Sequence, residues 1–463
     1  MAEENNENIE LITGNPKKAI IKLAYPMMLT MFIMMLYNFA DSIWVAGLGA
    51  EALAAIGFVT PLYIILVGVG NGVGAGANSL IARSIGADDY KQANNAALHS
   101  VLLSVIISII FTVIMLVFMV PILEAIGAGE TIQAASDYAY VIFGLLFVFV
   151  FEELASSIFR AEGDMRRATS AIAVTAIINI FLDPLFIYVF NLGIAGAAWA
   201  TVLSSALSCL IMSYWIWSKK DLYLDLSPKN FNFQMNLITE NLQVAIPSTV
   251  ENLIFSALTI VINAMLVTAG GFSAVGIYTA AMRIVQLATL PVIAIGIAVL
   301  TVAGAAYGAK NVENLKITHS YSIKISFAIS IVLVVLMYLF APQIASLFAY
   351  TEASSGLAPQ IASVMSILCF FVPTVPLGIM STMMFQGAGK GVHSLIITLF
   401  RSLVFDSLFA YLFGFVFGWG LNGIFAGVVF GSFVGGIFGY ILARHFIKKF
   451  EEDVSKENNL ETV

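Results

Sequence analysis

Charge is the first thing this chain has little of. Asp, Glu, Lys and Arg together make up 11% of 463 residues, against 60% hydrophobic ones, and the mean hydropathy is +0.95. Water-soluble domains are about a quarter charged, so most of this surface cannot face water. A soluble enzyme is excluded, and no nucleic-acid partner is expected. Cysteine is nearly missing too. Cys209 and Cys369 both fall inside apolar runs, in no disulfide or metal spacing. The four histidines, His99, His319, His393 and His445, are scattered, so no metal cluster is expected from them. A basic leader is also absent: the first ten residues are polar and acidic, and the first apolar stretch is expected to stay as a permanent helix. Much of the formal charge of -7 sits in the acidic ends, which read as solvated tails.

Long apolar runs are what the chain has in abundance. At about 20 residues per bilayer crossing, its length and apolarity predict about twelve spans. They are expected at 19–44, 52–81, 94–121, 134–158, 168–191 and 194–217, then at 238–267, 274–305, 318–346, 359–386, 392–417 and 420–447. Domain limits follow as an N-lobe over 1–217, a linker over 218–237, a C-lobe over 238–450 and a polar tail over 451–463. The fold class is therefore all-α, polytopic, in two lobes.

Lys and Arg are missing from every second loop. Lys17, Lys18 and Lys22 precede span 1, and Arg83 and Lys91 lie between spans 2 and 3. Arg160, Arg166, Arg167, Lys219, Lys220, Lys229, Lys310, Lys316, Lys390, Arg444, Lys448 and Lys449 continue the alternation. By the positive-inside rule both termini are cytoplasmic, in a multi-pass protein of a prokaryotic plasma membrane.

The halves repeat. Leu23-Ala24-Tyr25-Pro26 answers Val244-Ala245-Ile246-Pro247, and Ser84-Ile85-Gly86-Ala87-Asp88 answers Ala306-Tyr307-Gly308-Ala309-Lys310. Asp183-Pro184-Leu185-Phe186 answers Asp406-Ser407-Leu408-Phe409, and Gly193 to Gly196 answers Gly420 to Gly423. Each half holds an even number of spans, so both insert the same way round. Parallel repeats of this kind share an axis along the membrane normal and enclose a transport path.

Acids inside spans are costly, about 2.5–3.5 kcal/mol each at mid-helix, and are functional by default. Asp41, Asp183, Glu251 and Asp406 are such acids, with Arg283 and Arg401 as basic counterparts. Asp41 and Asp183 fall in the outer half of the first lobe. Asn179 is one turn below Asp183 on the same face. Pro184 cannot donate, which frees the Ile180 carbonyl beside the acid. Thr201 and Tyr37 lie at comparable depth. Oxygen ligands of these kinds suit Na⁺ or H⁺ equally. Glu251, four residues past Pro247, has two readings: a second-lobe cation site, or a packing acid paired with a group such as Arg283. For Asp406 an ion pair with Arg401 is expected. Gly68 to Gly76 lacks the Lys-Ser/Thr of a phosphate loop and reads as a helix contact. Met-rich stretches, including Met31 and Met34, read as packing or as an adaptable cavity lining.

Taken together, Pro26 with Asp41, Asn179 to Phe186, Gly193 to Thr201 and Gln386 to Lys390 resemble the multidrug and toxic compound extrusion (MATE) family over nearly the whole chain. The resemblance implies twelve transmembrane helices in two pseudo-symmetric six-helix lobes forming a V-shaped central cleft. It implies cation-coupled export of amphipathic or cationic organic compounds by a transporter, not an enzyme. By position it nominates Asp41, Asn179, Asp183 and Thr201 for coupling, Tyr138 as a lining residue, and Pro26 and Pro184 as hinges. A span 10 acid found with Glu251 in another branch is missing here. No cofactor is expected beyond H⁺ or Na⁺; the partners are small organic substrates and membrane lipids, and the chain is expected to be a monomer. A lipid-linked precursor flippase is the alternative, and would need basic groups in the cleft.

Overall fold

The computed structural model describes residues 2–217, 222–348 and 357–461, and among these there is no strand. A backbone in hydrocarbon must satisfy its own hydrogen bonds, which a helix does alone. In order, the long helices are Pro16–Ala46, Glu51–Gly86, Tyr90–Ala125, a pair Gly129–Gly144 and Leu146–Ala161 bent by 46°, Met165–Val189 and Gly193–Trp217. After the linker come Met235–Gly308, Val312–Leu339, Ala358–Gly387, Gly391–Val416 and Gly420–Leu460.

Met235–Gly308 has 74 residues, which at 1.5 Å each is about 110 Å against a core of about 30 Å. It is broken at Gly271, where φ is 72° and ψ is -172°, a region that glycine alone reaches readily. With this helix counted as spans 7 and 8 and the bent pair as span 4, the expected twelve crossings are present. Span 9, Val312–Leu339, both begins and ends earlier than expected. It ends at Leu339, and a separate helix, Ala341–Phe348, follows. Lys219 and Lys220, with the first residues of the linker, lie outside the described residues.

Two compact units emerge. One contains Met1–Asn15 and Tyr25–Thr249, the other Pro16–Ala24 and Val250–Val463. The start of span 7 thus belongs with the first six spans, for a reason visible in the glycines of span 2. A Cβ at Gly72 would stand 2.5 Å from the Ala245 carbonyl oxygen, and one at Gly76 would stand 2.6 Å from that of Asn241. Thr249 donates to the Gly68 carbonyl at 3.2 Å. Asn241 donates to Ser100 at 2.9 Å, and Arg83 pairs with Glu240 at 3.2 Å.

The linker is bound, not loose. Glu162 accepts from the Leu224 amide at 2.8 Å, and Asn94 accepts from Asp225 at 2.8 Å. Asn95 accepts from the Asn232 amide at 3.0 Å and donates to its carbonyl at 2.7 Å. The Gln234 amide donates to His99 Nε2 at 2.9 Å, so His99 Nδ1 carries the proton it shares with the Asn95 carbonyl.

Neither acidic end is a free tail. Ala2–Thr13 is helical, buries Leu11 and Ile12, and lies against Gly163, where a Cβ would be 2.8 Å from the Asn8 carbonyl oxygen. The final helix runs on to Glu461, with Glu457 paired to Lys310 and Glu451 to Lys316 at 2.7 Å. No glycine or proline interrupts it after the apolar stretch, and its acids meet those lysines.

Left-handed residues carry the repeat into three dimensions. Asp88 (φ 57°) answers Lys310 (φ 52°), and Gly163 (φ 82°) answers Gly389 (φ 74°). Asn191 and Gly193 (φ 53° and 55°) answer Gly418 and Gly420 (φ 71° and 61°). The second copy has extra chain between acid and glycine, taken up by the α-helical stretch Asp406–Tyr411 ahead of its π turn Leu412–Val416, whereas in the first copy the π turn Leu185–Val189 follows the acid almost at once.

Candidate functional site

Asp41, on span 1, lies within hydrogen-bonding reach of the Asp183 carboxyl on span 5. Asp183 is 0% exposed and Asn179 1% exposed, while Asp41 is half-buried. Asn179 donates to Ser204 on span 6 at 3.1 Å, and Ser204 donates to the Ala200 carbonyl at 2.9 Å. No amide, hydroxyl or cationic donor among the described residues reaches Asn179 Oδ1 or either oxygen of Asp183. A bond between two carboxyl groups requires a proton on one of them. Three buried oxygens are thus left for a proton or a small cation, the donor set that Na⁺ prefers.

Local sequence explains the position. Pro184 leaves the Ile180 carbonyl without its helical donor, and the helix widens into a π turn over Leu185–Val189. The next residues are pinned to span 1: Tyr188 donates to the Trp44 carbonyl at 2.6 Å and meets its ring edge-on at 6.4 Å. A Cβ at Gly47 would fall on that tyrosine hydroxyl, at 2.2 Å.

Tyr37, one turn before Asp41, hydrogen-bonds Thr201, and Tyr63 and Tyr138 lie near enough to feel the Asp41 charge. Thr201 itself donates to the Ala197 carbonyl at 3.0 Å. Asp41, Asn179, Asp183, Thr201, Tyr37 and Tyr138 therefore come together in one unit. Met31 is half-buried, Met34 is exposed, and neither touches the carboxyl pair through any described contact. Pro26 lies inside a continuous helix, and its carbonyl accepts from Thr30 at 3.1 Å. Sequence reasoning missed Ser204 and Tyr63. Ser204 shares a helix face with Thr201, a signal that was available; nothing local marks Tyr63.

Glu251 occupies a second cluster, in the other unit. Gln386 donates to it at 3.2 Å and to Ser394 at 3.1 Å; Ser394 also donates to Glu251, and Thr398 joins them. Arg283 is exposed and is not its partner. The expected Arg401–Asp406 ion pair is not formed within 4.0 Å among the described residues. Arg401 instead interacts electrostatically with both acids, with its guanidinium 5.9 Å from the Phe255 ring centre. Gly378 and Gly435 make room for it, since a Cβ on either would approach its side chain to 2.7 or 2.6 Å. Two acids and one base share this buried space.

Glu152 and Glu153 part company. Glu152 lies near Ser205 and Ser208, and Glu153 pairs with Arg160.

Known proteins give the same picture. The MatE family signature matches residues 26–185 and 247–412, one stretch in each half. A relative, the probable multidrug resistance protein YoeA of Bacillus subtilis (strain 168), is 26% identical over 65% of this chain and 66% of its own. The probable multidrug resistance protein NorM of Thermotoga maritima is 25% identical over 82% of each chain. Among solved structures, a MATE crystallised in complex with MaL6 is 39% identical over 96% of this chain and 99% of its own, with a TM-score of 0.94. Both halves carry the match, and the chain belongs to the MatE family.

Proposed function

We propose that the protein is a secondary active transporter that exports amphipathic or cationic organic compounds across the plasma membrane of a prokaryote, in antiport with H⁺ or Na⁺. The observation that carries this is the Asp41–Asp183 contact, with three buried oxygens that no described donor satisfies. The names of the relatives support export of drugs as the class of activity.

In this reading the coupling ion binds at Asp41, Asp183, Asn179 and Thr201. Holding a proton or Na⁺ changes the charge of the pair, and with it the packing of span 1 against span 5 where Pro184 leaves the helix compliant. An ion and a cargo that favour different conformations of one protein exchange across the membrane by alternating access, because each shifts the same equilibrium. Both termini are cytoplasmic on the loop charges.

Purified protein in liposomes under an imposed pH or Na⁺ gradient, with a fluorescent organic cation inside, tests this. Dependence of cation movement on one gradient supports the reading and names the ion. Gradient-driven transport at the full rate by Asp41→Asn and Asp183→Asn overturns it.

A further inference from the structure

Span 8 turns a polar face out of its unit at the depth where a membrane helix is normally apolar. Past Gly271 its exposed positions are Phe272, Ser273, Gly276, Thr279, Arg283 and Gln286, and from Gly276 onward they recur every three or four residues. The opposite face is core: Ile277, Tyr278, Ala281, Ile284 and Val285 are buried. Thr279 gives its proton to the Val275 carbonyl at 2.8 Å. The side chains of Arg283 and Gln286 make no hydrogen bond or ion pair among the described residues.

Three features of this face point to a ligand. Depth is the first: Arg283 lies twelve residues past the Gly271 break, about 18 Å along the helix, near the middle of a core about 30 Å thick. An arginine there does not face acyl chains; it faces a protein partner or a water-filled space. Second, the buried acids of this unit, Glu251 and Asp406, interact with Arg401, so they leave Arg283 uncompensated. Third, the internal repeat supplies a control. Thr279, Arg283 and Gln286 answer Gly57, Pro61 and Ile64 of span 2, which are equally exposed yet carry no charge and no side-chain donor. The fold does not require polarity at this face.

We propose that the span 8 face binds the anionic group of the cargo, with Arg283 gripping a carboxylate, sulfonate or phosphate through its planar fork and Gln286 donating beside it. This rests on the transport reading for the ligand being cargo, and narrows that cargo to amphiphiles that carry an acid group, alone or as zwitterions. The oxyanion has two sources, a soluble organic acid or the phosphate headgroup of a lipid.

Binding to the purified full-length protein separates them. Dansylglycine is the soluble probe, and phosphatidylglycerol in nanodiscs, against phosphatidylcholine, is the lipid probe. Arg283→Gln is expected to weaken binding of one anion by about tenfold or more, as the loss of a charge-assisted hydrogen bond implies. Arg283→Lys should keep much of that affinity, and Gln286→Leu should lose part of it while leaving Arg283 intact. Whichever probe responds names the source. Equal binding of both probes by wild type and Arg283→Gln overturns the assignment. Movement of the responding acid probe under an ion gradient is followed in parallel in proteoliposomes: if it fails in wild type while anion binding still depends on Arg283, the transport reading falls and this site stands.

Discussion

Asparagine at position 183 would keep the shape of the side chain but end its capacity to hold a proton or a negative charge. Asp183 is 0% exposed, and the group within its reach is the Asp41 carboxyl. If the pair takes up H⁺ or Na⁺ only when folded, binding stabilises the protein by RT ln(1 + [L]/Kd), about 2.7 kcal/mol at a hundredfold excess over Kd. Complete unfolding of 463 residues carries an entropy on the order of 1 kcal/mol per degree, which sets a shift of about 3 °C. A membrane protein heated in detergent keeps part of its helix and gains less entropy on unfolding, so that figure is a lower bound. The assay is the thermal midpoint of purified protein across a Na⁺ series at fixed pH, then across a pH series without Na⁺. Wild type should rise with one of them. Asp183→Asn should lose the response that wild type shows to that ion, keeping in the pH series only what other groups such as Glu162 contribute, with a midpoint close to that of ion-free wild type, because its amide can still donate to Asp41. An Asn variant that follows wild type degree for degree would refute the reasoning, since nothing titratable would remain at the position credited with the effect.

Other expectations test the packing and the linker. Gly76→Ala puts a Cβ 2.3 Å from Asn241 Oδ1 and 2.6 Å from its carbonyl oxygen, and should cost about 1–3 kcal/mol in detergent unfolding; Gly57→Ala, with open space around it, should be near neutral. Gly435→Ala meets Arg401 Cα at 2.5 Å and should destabilise by a similar amount, about 1–3 kcal/mol, read by the same assay. Burial pushes the Glu162 carboxyl up to about 8 from 4.5. An acid whose folded value is raised stabilises the bound state while protonated, so the linker should loosen as pH rises from about 4.5 through about 8 and change no further above that. Hydrogen exchange at Leu224, corrected for its intrinsic pH dependence, should show this slope in wild type and lose it in Glu162→Gln.

Much of the site was readable because its members are local or expensive. Asp183, Pro184 and Asn179 sit within two turns of one helix, and an acid in an apolar run announces itself by its cost. Tyr63 has no such mark: tyrosines are common in this chain, and only the approach of span 2 to span 1 selects this one. The Arg401–Asp406 pairing failed for a related reason. Neighbours in sequence looked like partners, but the chain brings Glu251 from a distant helix to compete for the same guanidinium.

Span count, the two-fold repeat, the alternation of basic loops and the pair of candidate acids were set by sequence alone, because hydrocarbon admits so few solutions for a backbone. Tertiary structure decided what depends on meeting at a distance. It drew the linker onto Asn94, Asn95, His99 and Glu162, made helices of both acidic ends, and gave the start of span 7 to the glycine face of span 2. It also determined that Arg283 points out of its unit while Arg401 points in. Helical periodicity places a residue on a face; which face is buried is settled only by what packs against it.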